Sequence, residues 1–356
     1  MFGLSRGNGS RPAGSVVMEP AWVDPGLGEH VVALEWSPDA KRLAAAAVGG
    51  AVVVIDGRSG ERLAQPPGHG IGAMALSWSP DGRRLASTGQ DGKLRIWDAE
   101  DAREVAAVDA GAAWVERVAW CPAGPFIATA AGRKLRLWSP DGEAIRSYAD
   151  HPSTIADLRW KPGTRTLASA AYGQITLWLP DRDEPVRRFA WKGSMLVIAW
   201  SPDGRFIATG NQDSTVHFWE MKTGEDLQMY GYPTKVRELA WDPTGRYLAT
   251  GGGGDACVWD FSGKGPAGTR PAQLRLTGAL VQAVGFRPRA ADPLLAAGFA
   301  DGSVGLWRFG QKVARVDMLQ FDEPDSQLAW RPDGKVLAVA TAGGGVAGLV
   351  DVSSRS

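Results

Sequence analysis

Between residues 69 and 98 the chain carries a histidine, a serine and an aspartate, the side-chain types of hydrolytic triads. They are His69, Ser87 and Asp91, and the stretch TGQDGKLRIWD that contains Asp91 also holds Trp97. A serine nucleophile is usually presented on a strained turn such as GxSxG, and no such turn surrounds Ser87. Ser87 lies in a short apolar run and Asp91 precedes a glycine in a turn signal. We therefore interpret these residues as parts of a strand and a turn, with no catalytic role, and we expect no enzymatic activity.

Metal and phosphate sites are not indicated either. The four histidines are spread over the chain, and Cys121 and Cys257 lack the close spacing of zinc ligands. Gly251–Gly254 could cradle a phosphate, but the Lys-Ser/Thr of a phosphate loop does not follow it. We interpret this glycine run as a permissive turn, and we expect no metal and no cofactor.

The composition excludes some classes of partner. The 356 residues contain 39 basic and 39 acidic side chains, so the chain lacks the basic surplus of a general nucleic-acid binder. No apolar run approaches the roughly 18 residues that a membrane span requires. We expect a cytoplasmic protein without membrane contact, and the high Ala, Gly and Arg content suggests a bacterial source. The unusual feature is 16 tryptophans beside 46 glycines, which points to an internal repeat.

The repeat is an aromatic residue followed by a proline-containing turn, and it occurs eight times. Its spacing is 42, 42, 40, 40, 41, 45 and 44 residues. We call the eight aromatic residues the anchors: Trp36, Trp78, Trp120, Trp160, Trp200, Trp241, Phe286 and Trp330. Apolar runs separated by Gly or Asp turns follow each anchor, and no helical periodicity is present. Four short strands in roughly 42 residues are typical of one blade of a β-propeller.

The repeat resembles the WD40 family. The residues that carry the resemblance are the Trp-Ser-Pro-Asp-Gly turns, Gly68-His69, Leu85-Ala86-Ser87, Asp91-Gly92 and Trp97-Asp98. It covers residues from about 16 to 352, and it implies an all-β propeller.

Eight anchors predict eight four-stranded blades, with seven as the alternative because seven is common in the family. We expect residues 16–22 to supply the last strand of the C-terminal blade, a closure that removes exposed strand edges. Residues 1–14 are predicted to be a flexible tail, residues 15–352 a single propeller domain, and residues 353–356 a C-terminal tail.

The resemblance also implies a hydrogen-bonded tetrad of His, Ser or Thr, Asp and Trp in each regular blade. The second unit matches it fully with His69, Ser87, Asp91 and Trp97. The fourth has His151, Ser169 and Trp178 but no aspartate, and the fifth has Trp191 where histidine is expected. We therefore expect most blades to depend on packing and strand pairing.

The family usually acts by binding other proteins through the top face of the propeller. Residues of the corresponding loops and turns are rich in aromatic and basic types in the third to sixth units, and such residues carry interface energy. The predicted partner-binding residues are Gln90, Trp114, Glu116, Tyr172, Trp191, Lys192, Gln212, Tyr232, Lys235 and Arg237. We expect a monomeric scaffold for protein partners.

Two other functions stay open at this point. An eight-bladed propeller could bind a small ligand or act as an enzyme, but the predicted channel-lining residues are mainly small or apolar, namely Val32, Met74, Ala156, Leu196 and Ser326. Lys192, Lys235 and Arg237 could form a basic edge for nucleic acid, which zero net charge disfavours. The Gly- and Pro-rich insertion at 261–271 is a second candidate contact on the opposite face.

Overall fold

The computed structural model describes residues 3–6, 16–24, 26–263, 265–289, 292–310 and 312–353. Within these residues the chain forms β-strands and turns and no α-helix. The strands are β1 (Leu4–Arg6), β2 (Met18–Asp24), β3 (Val31–Trp36), β4 (Arg42–Ala47), β5 (Val52–Asp56), β6 (Arg62–Ala64), β7 (Ala73–Trp78), β8 (Arg84–Gly89), β9 (Lys93–Asp98), β10 (Glu104–Asp109), β11 (Arg117–Trp120), β12 (Ile127–Ala131), β13 (Lys134–Trp138), β14 (Ala144–Ser147), β15 (Ile155–Trp160), β16 (Leu167–Ala171), β17 (Gln174–Trp178), β18 (Arg187–Ala190), β19 (Met195–Trp200), β20 (Phe206–Asn211), β21 (Val216–Glu220), β22 (Asp226–Met229), β23 (Leu239–Trp241), β24 (Tyr247–Thr250), β25 (Asp255–Asp260), β26 (Ala272–Arg275), β27 (Val281–Phe286), β28 (Leu294–Phe299), β29 (Ser303–Arg308), β30 (Ala314–Phe321), β31 (Asp325–Trp330), β32 (Val336–Thr341) and β33 (Val346–Asp351).

These strands form eight antiparallel sheets arranged as the blades of a propeller, so the predicted blade number is confirmed. Blades 1 to 7 start at β3, β7, β11, β15, β19, β23 and β27, and each takes four consecutive strands. Blade 8 consists of β31, β32 and β33 with β2 on its outer edge.

Ring closure by an N-terminal strand is also confirmed. β2 runs antiparallel to β33, from Met18 opposite Asp351 to Asp24 opposite Val346. The register shifts between Pro20 and Trp22, because proline cannot donate a ladder hydrogen bond. The strand begins two residues later than the predicted segment 16–22.

A further strand precedes β2. β1 pairs with β30, with Leu4 opposite Phe321, so blade 7 has a fifth strand. In the rest of the predicted flexible tail at 1–14, the structure describes Gly3. Residues 1, 2 and 7–14 lie outside the described residues. Residues 354–356 of the predicted C-terminal tail lie outside them too.

In most blades, side chains of the turn after the anchor form hydrogen bonds within that turn. In blade 1, Ser37 Oγ donates to Asp39 Oδ1 at 2.6 Å and accepts from the backbone N–H of Arg42 at 2.9 Å. The last turn position needs a positive φ, which Gly82 adopts at 69° in blade 2. Ala40 occupies that position in blade 1 with a φ of 64°, a conformation that costs alanine more than glycine.

The core lies between neighbouring blades. The second strand of each blade is almost entirely buried, and the hydrophobic clusters join residues of adjacent sheets. Trp97, for example, is fully buried and packs with residues of blade 1. This sheet-on-sheet packing fixes the loops at the two ends of the blades, where partners could bind.

Candidate functional site

Two sets of loops lie on one side of the ring, which we call the top face. The turn between the second and third strands of a blade bonds to the loop that precedes its first strand. Gln90 N donates to Gly72 O at 2.8 Å, and Gln212 N donates to Ser194 O at 2.9 Å. Side chains from both sets can therefore contact one partner.

Six of the predicted partner-binding residues are exposed on this face. Trp114 and Tyr172 are the large ones, with 55% and 56% of their surface exposed. They belong to neighbouring blades 3 and 4. The four polar or basic residues are Lys192, Gln212, Lys235 and Arg237.

The other predicted residues take part in contacts within the protein. Gln90 is half-buried, and its Nε2 lies 3.7 Å from Met74 Sδ. Glu116 Oε2 accepts from the backbone N–H of Gly132 at 3.0 Å, which ties the loop before β11 to the turn after β12. Trp191 is half-buried and packs against a histidine ring of blade 5. We therefore leave these residues out of the candidate contact surface.

Tyr232 has a role inside blade 6 that the sequence did not indicate. Its hydroxyl oxygen accepts from Trp259 Nε1 at 2.7 Å and from Thr250 Oγ1 at 3.0 Å. Burial raises the pKa of Tyr232 well above its usual value, so the hydroxyl keeps its proton. Tyr232 thus stands where histidine stands in the tetrad of blade 2.

The tetrad of blade 2 is a continuous hydrogen-bonded chain. Trp97 Nε1 donates to Ser87 Oγ at 2.8 Å, Ser87 Oγ lies 2.9 Å from His69 Nε2, and His69 Nδ1 lies 2.8 Å from Asp91 Oδ1. The carboxylate can only accept, so His69 carries its proton on Nδ1 and Ser87 donates to Nε2. His69 and Ser87 are buried, which leaves no space for a substrate.

Blades 4 and 5 contain altered versions of this chain. Ser169 Oγ accepts from Trp178 Nε1 and lies 2.8 Å from His151 Nε2, but His151 Nδ1 has no hydrogen-bond partner among the described residues. The turn after β16 has only two residues, and the aspartate is missing from it. In blade 5, His217 lies between the rings of Trp191 and Trp219, with centroids 4.1 and 4.2 Å away.

The top face carries further apolar residues that are not among the predicted partner-binding residues. Val48, Ile71, Tyr230 and Leu280 are each between 47% and 69% exposed, and all lie in the loops and turns of this face. The signal was a large apolar residue at a loop position, as at Ile71, where the other blades have Glu, Ala, Ser, Gly or Thr. Beside Tyr230, Gly252–Gly254 line a groove of about 500 Å³ that runs to Leu276–Gly278.

The opposite face has a smaller candidate. Residues 261–271 connect β25 to β26, and with Phe206 and Phe218 they line a groove of about 400 Å³. Residue 264 lies outside the described residues.

The central channel is more highly charged than predicted. Val32, Met74 and Leu196 line it as expected, but so do the charged residues Glu35, Arg117, Asp157, Arg159, Arg237 and Glu238. The prediction of a mainly small or apolar lining was wrong because it considered one position of each inner strand. Most of these charges lie one or three residues before an anchor, positions where most of the other blades have small or apolar residues.

Comparisons with known proteins agree with this architecture. The family model described as WD domain, G-beta repeat matches residues 60–98, 106–139, 184–220 and 224–260, and the model described as anaphase-promoting complex subunit 4 WD40 domain matches residues 290–355. The chain belongs to the WD40-repeat propeller family. WD40 propellers are generally non-enzymatic scaffolds for protein interactions.

Individual relatives are similar to this WD40 propeller in fold or over a short stretch. An uncharacterized WD repeat-containing protein of Nostoc is 51% identical over 35 residues, which is 10% of this chain and only 2% of that much longer protein. The crystal structure of the computationally designed Ika8 protein superimposes with a TM-score of 0.76, covering 92% of this chain and 97% of that chain. Its sequence identity of 18% means that the similarity concerns the fold alone.

The described part of the WD40 propeller contains no group of three His, Cys, Asp or Glu side chains that could hold a metal ion. Nor does any helix there have the length and apolarity needed to cross a membrane.

Proposed function

We propose that this protein is a non-enzymatic scaffold that binds a protein or peptide partner through its top face. The observation that carries the proposal is the pair Trp114 and Tyr172, two large aromatic side chains more than half exposed on neighbouring blades. Exposed aromatic residues are costly in water and are enriched at the centres of interfaces. The proposal includes a monomeric propeller in the cytoplasm.

The surroundings of the aromatic pair support a protein partner. Lys192, Lys235 and Arg237 are exposed on the next two blades, so the aromatic surface has a basic side. An apolar centre with a charged rim is the usual anatomy of a protein interface. A partner segment with an apolar anchor followed by acidic residues fits this arrangement.

The test compares capture of partners from the native organism by the wild-type protein and by the double variant Trp114→Ala, Tyr172→Ala. The control is Leu63→Ala, Ile145→Ala, which removes exposed apolar side chains from the outer strands β6 and β14. We expect the first variant to lose specific partners in mass spectrometry and the control to keep them. Thermal unfolding of both variants should match the wild type. Equal capture by all three proteins would contradict the proposal.

A further inference from the structure

The central channel is enclosed by the inner strands of all eight blades and has a volume of about 580 Å³. This volume is within the range of small-molecule sites, roughly 300 to 1,000 Å³. Trp114 and Tyr172 do not line the channel, so the aromatic pair proposed to bind a protein partner is separate from it, although Arg237 belongs to both surfaces.

Two arginine side chains are held together in this channel by one carboxylate. Arg117 Nε lies 3.1 Å from Asp157 Oδ1, and Arg159 Nε lies 3.3 Å from Asp157 Oδ2. Asp157 is buried, and its Oδ2 also accepts from the backbone N–H of Ile198 at 2.9 Å. The carboxylate is therefore fixed by three blades, and it fixes both guanidinium groups.

The guanidinium of Arg159 keeps free donors. Its side chain is 56% exposed to the channel, and only its Nε has a hydrogen-bond partner among the described residues. An arginine is unusual at this position of the repeat, because Arg159 directly precedes the anchor Trp160. Six of the other seven blades have Ala, Gly or Ser there, and blade 1 has Glu35.

The balance of charge in the channel favours an anion. Its charged lining consists of three arginines and three acids, so the charges would cancel if every group were ionised. Burial raises the pKa of Glu35 to about 7, so this carboxyl is only partly ionised near neutral pH, and burial also raises the pKa of Glu238. The arginines are then in excess, and Arg237 forms no ion pair among the described residues.

We propose that the channel binds a small oxyanion, a phosphate or carboxylate group, between the guanidinium groups of Arg117 and Arg159. A planar guanidinium matches two oxygens of such a group and binds it with two parallel hydrogen bonds. Asp157 is a positioning residue, since it orients both arginines without touching the ligand. Arg237, four residues before the anchor Trp241, adds positive charge to the same channel.

The experiment is isothermal titration of the purified full chain with sodium phosphate and, separately, with sodium succinate, at constant ionic strength set by chloride. We expect saturable binding of at least one anion. The Arg159→Gln variant should weaken it by about tenfold or more, because hydrogen bonds to charged groups are among the stronger ones. At pH 8, where Glu35 is mostly ionised, the Glu35→Gln variant should tighten it, because it removes a carboxylate whose charge acts on Arg159.

The control is Arg58→Gln, a change at an exposed arginine in the turn between β5 and β6, which should leave the affinity unchanged. Binding of phosphate alone or succinate alone would identify the preferred oxyanion and support the site. The proposal is overturned if neither anion binds saturably, or if Arg58→Gln weakens binding as much as Arg159→Gln. Should Arg159→Gln fail to fold, an unchanged affinity in Glu35→Gln would overturn it.

Discussion

Trp36 Nε1 donates a hydrogen bond to the carbonyl oxygen of Ala329 at 2.9 Å, which links blade 1 to blade 8. The same bond recurs around the ring, because an anchor indole reaches the carbonyl of the residue that precedes the anchor of the previous blade. The other pairs are Trp78 with Glu35, Trp160 with Ala119, Trp200 with Arg159, Trp241 with Ala199, and Trp330 with Gly285. The repeated tryptophan is thus a connection between blades as well as a core residue.

The Trp36→Phe variant should show what this connection contributes. Phenylalanine keeps an aromatic ring but removes the N–H donor, so the Ala329 carbonyl loses its bond. We expect the free energy of unfolding to fall by about 1 to 2 kcal/mol in urea titration, through the lost hydrogen bond and some lost packing. Trp114→Phe makes the same chemical change at an exposed site and should have no effect. Equal effects of the two changes would argue against the inter-blade bond.

Asp325 is expected to destabilise the protein at neutral pH. It is 2% exposed and neither carboxyl oxygen has a hydrogen-bond partner among the described residues. At this position, five residues before the anchor, the other blades have Val, Ala, Ile or Met. Asp325→Val should raise the free energy of unfolding by about 1 to 3 kcal/mol at pH 7.

The pH dependence provides the check on Asp325. Burial raises its pKa well above the ordinary value of 3.8, so above pH 3.8 the unfolded chain releases a proton that the folded protein retains. Wild-type stability therefore falls as pH rises from about 4 towards the folded-state pKa. The Asp325→Val variant lacks this contribution, so its advantage should grow with pH. A gain that is the same at pH 4 and pH 7 would show that the carboxyl is not responsible.

His151 should make the protein sensitive to acid. Burial lowers its pKa from 6.5 to about 4, and no carboxylate bonds to Nδ1. Between these values the unfolded chain binds a proton that the folded protein does not, so stability is full above pH 6.5 and falls towards pH 4. The difference between these two pKa values corresponds to roughly 3 kcal/mol in the free energy of unfolding. His151→Gln should flatten this part of the profile in pH-resolved denaturation, whereas His30→Gln, at an exposed position, should not.

Tyr232 should be replaceable by histidine but not by phenylalanine. Tyr232→Phe removes the oxygen that accepts from Trp259 and Thr250, and we expect a loss of about 1 to 3 kcal/mol in unfolding free energy. Tyr232→His supplies a ring nitrogen of the kind that blade 2 uses, and it should retain more stability than the phenylalanine variant. Thermal unfolding of both proteins measures this order, and a phenylalanine variant as stable as wild type would contradict it.

The large-scale fold could be predicted because the anchors repeat at nearly constant spacing. Turn chemistry at Trp78-Ser-Pro-Asp-Gly and similar sites marked the strand ends, but the weak outer strand of blade 5, Asp226–Met229, gave no signal. Strand β1 was also missed, since three residues carry too little periodicity to be recognised.

The candidate site was harder to predict because side-chain direction depends on neighbours in space. Tyr232 and Glu116 have residue types that suit an interface, yet their polar atoms bond to Trp259 and Gly132 within the protein. The channel charges were missed for a related reason. A bulge near Asp157 shifts the pairing of β15 with β16, and a strict alternation of faces does not foresee such a shift.

The pairing of β2 with β33 means that the ring cannot close until the whole chain has been synthesised. Val17 and Asp351 meet across 334 residues of chain, so β2 leaves the ribosome early and its partner strand follows only after all the other blades. During that interval β2 has an unpaired edge of the kind that recruits other chains. A newly made molecule is therefore an incomplete ring with one exposed strand, and its yield in the cell should depend on how long that strand is protected.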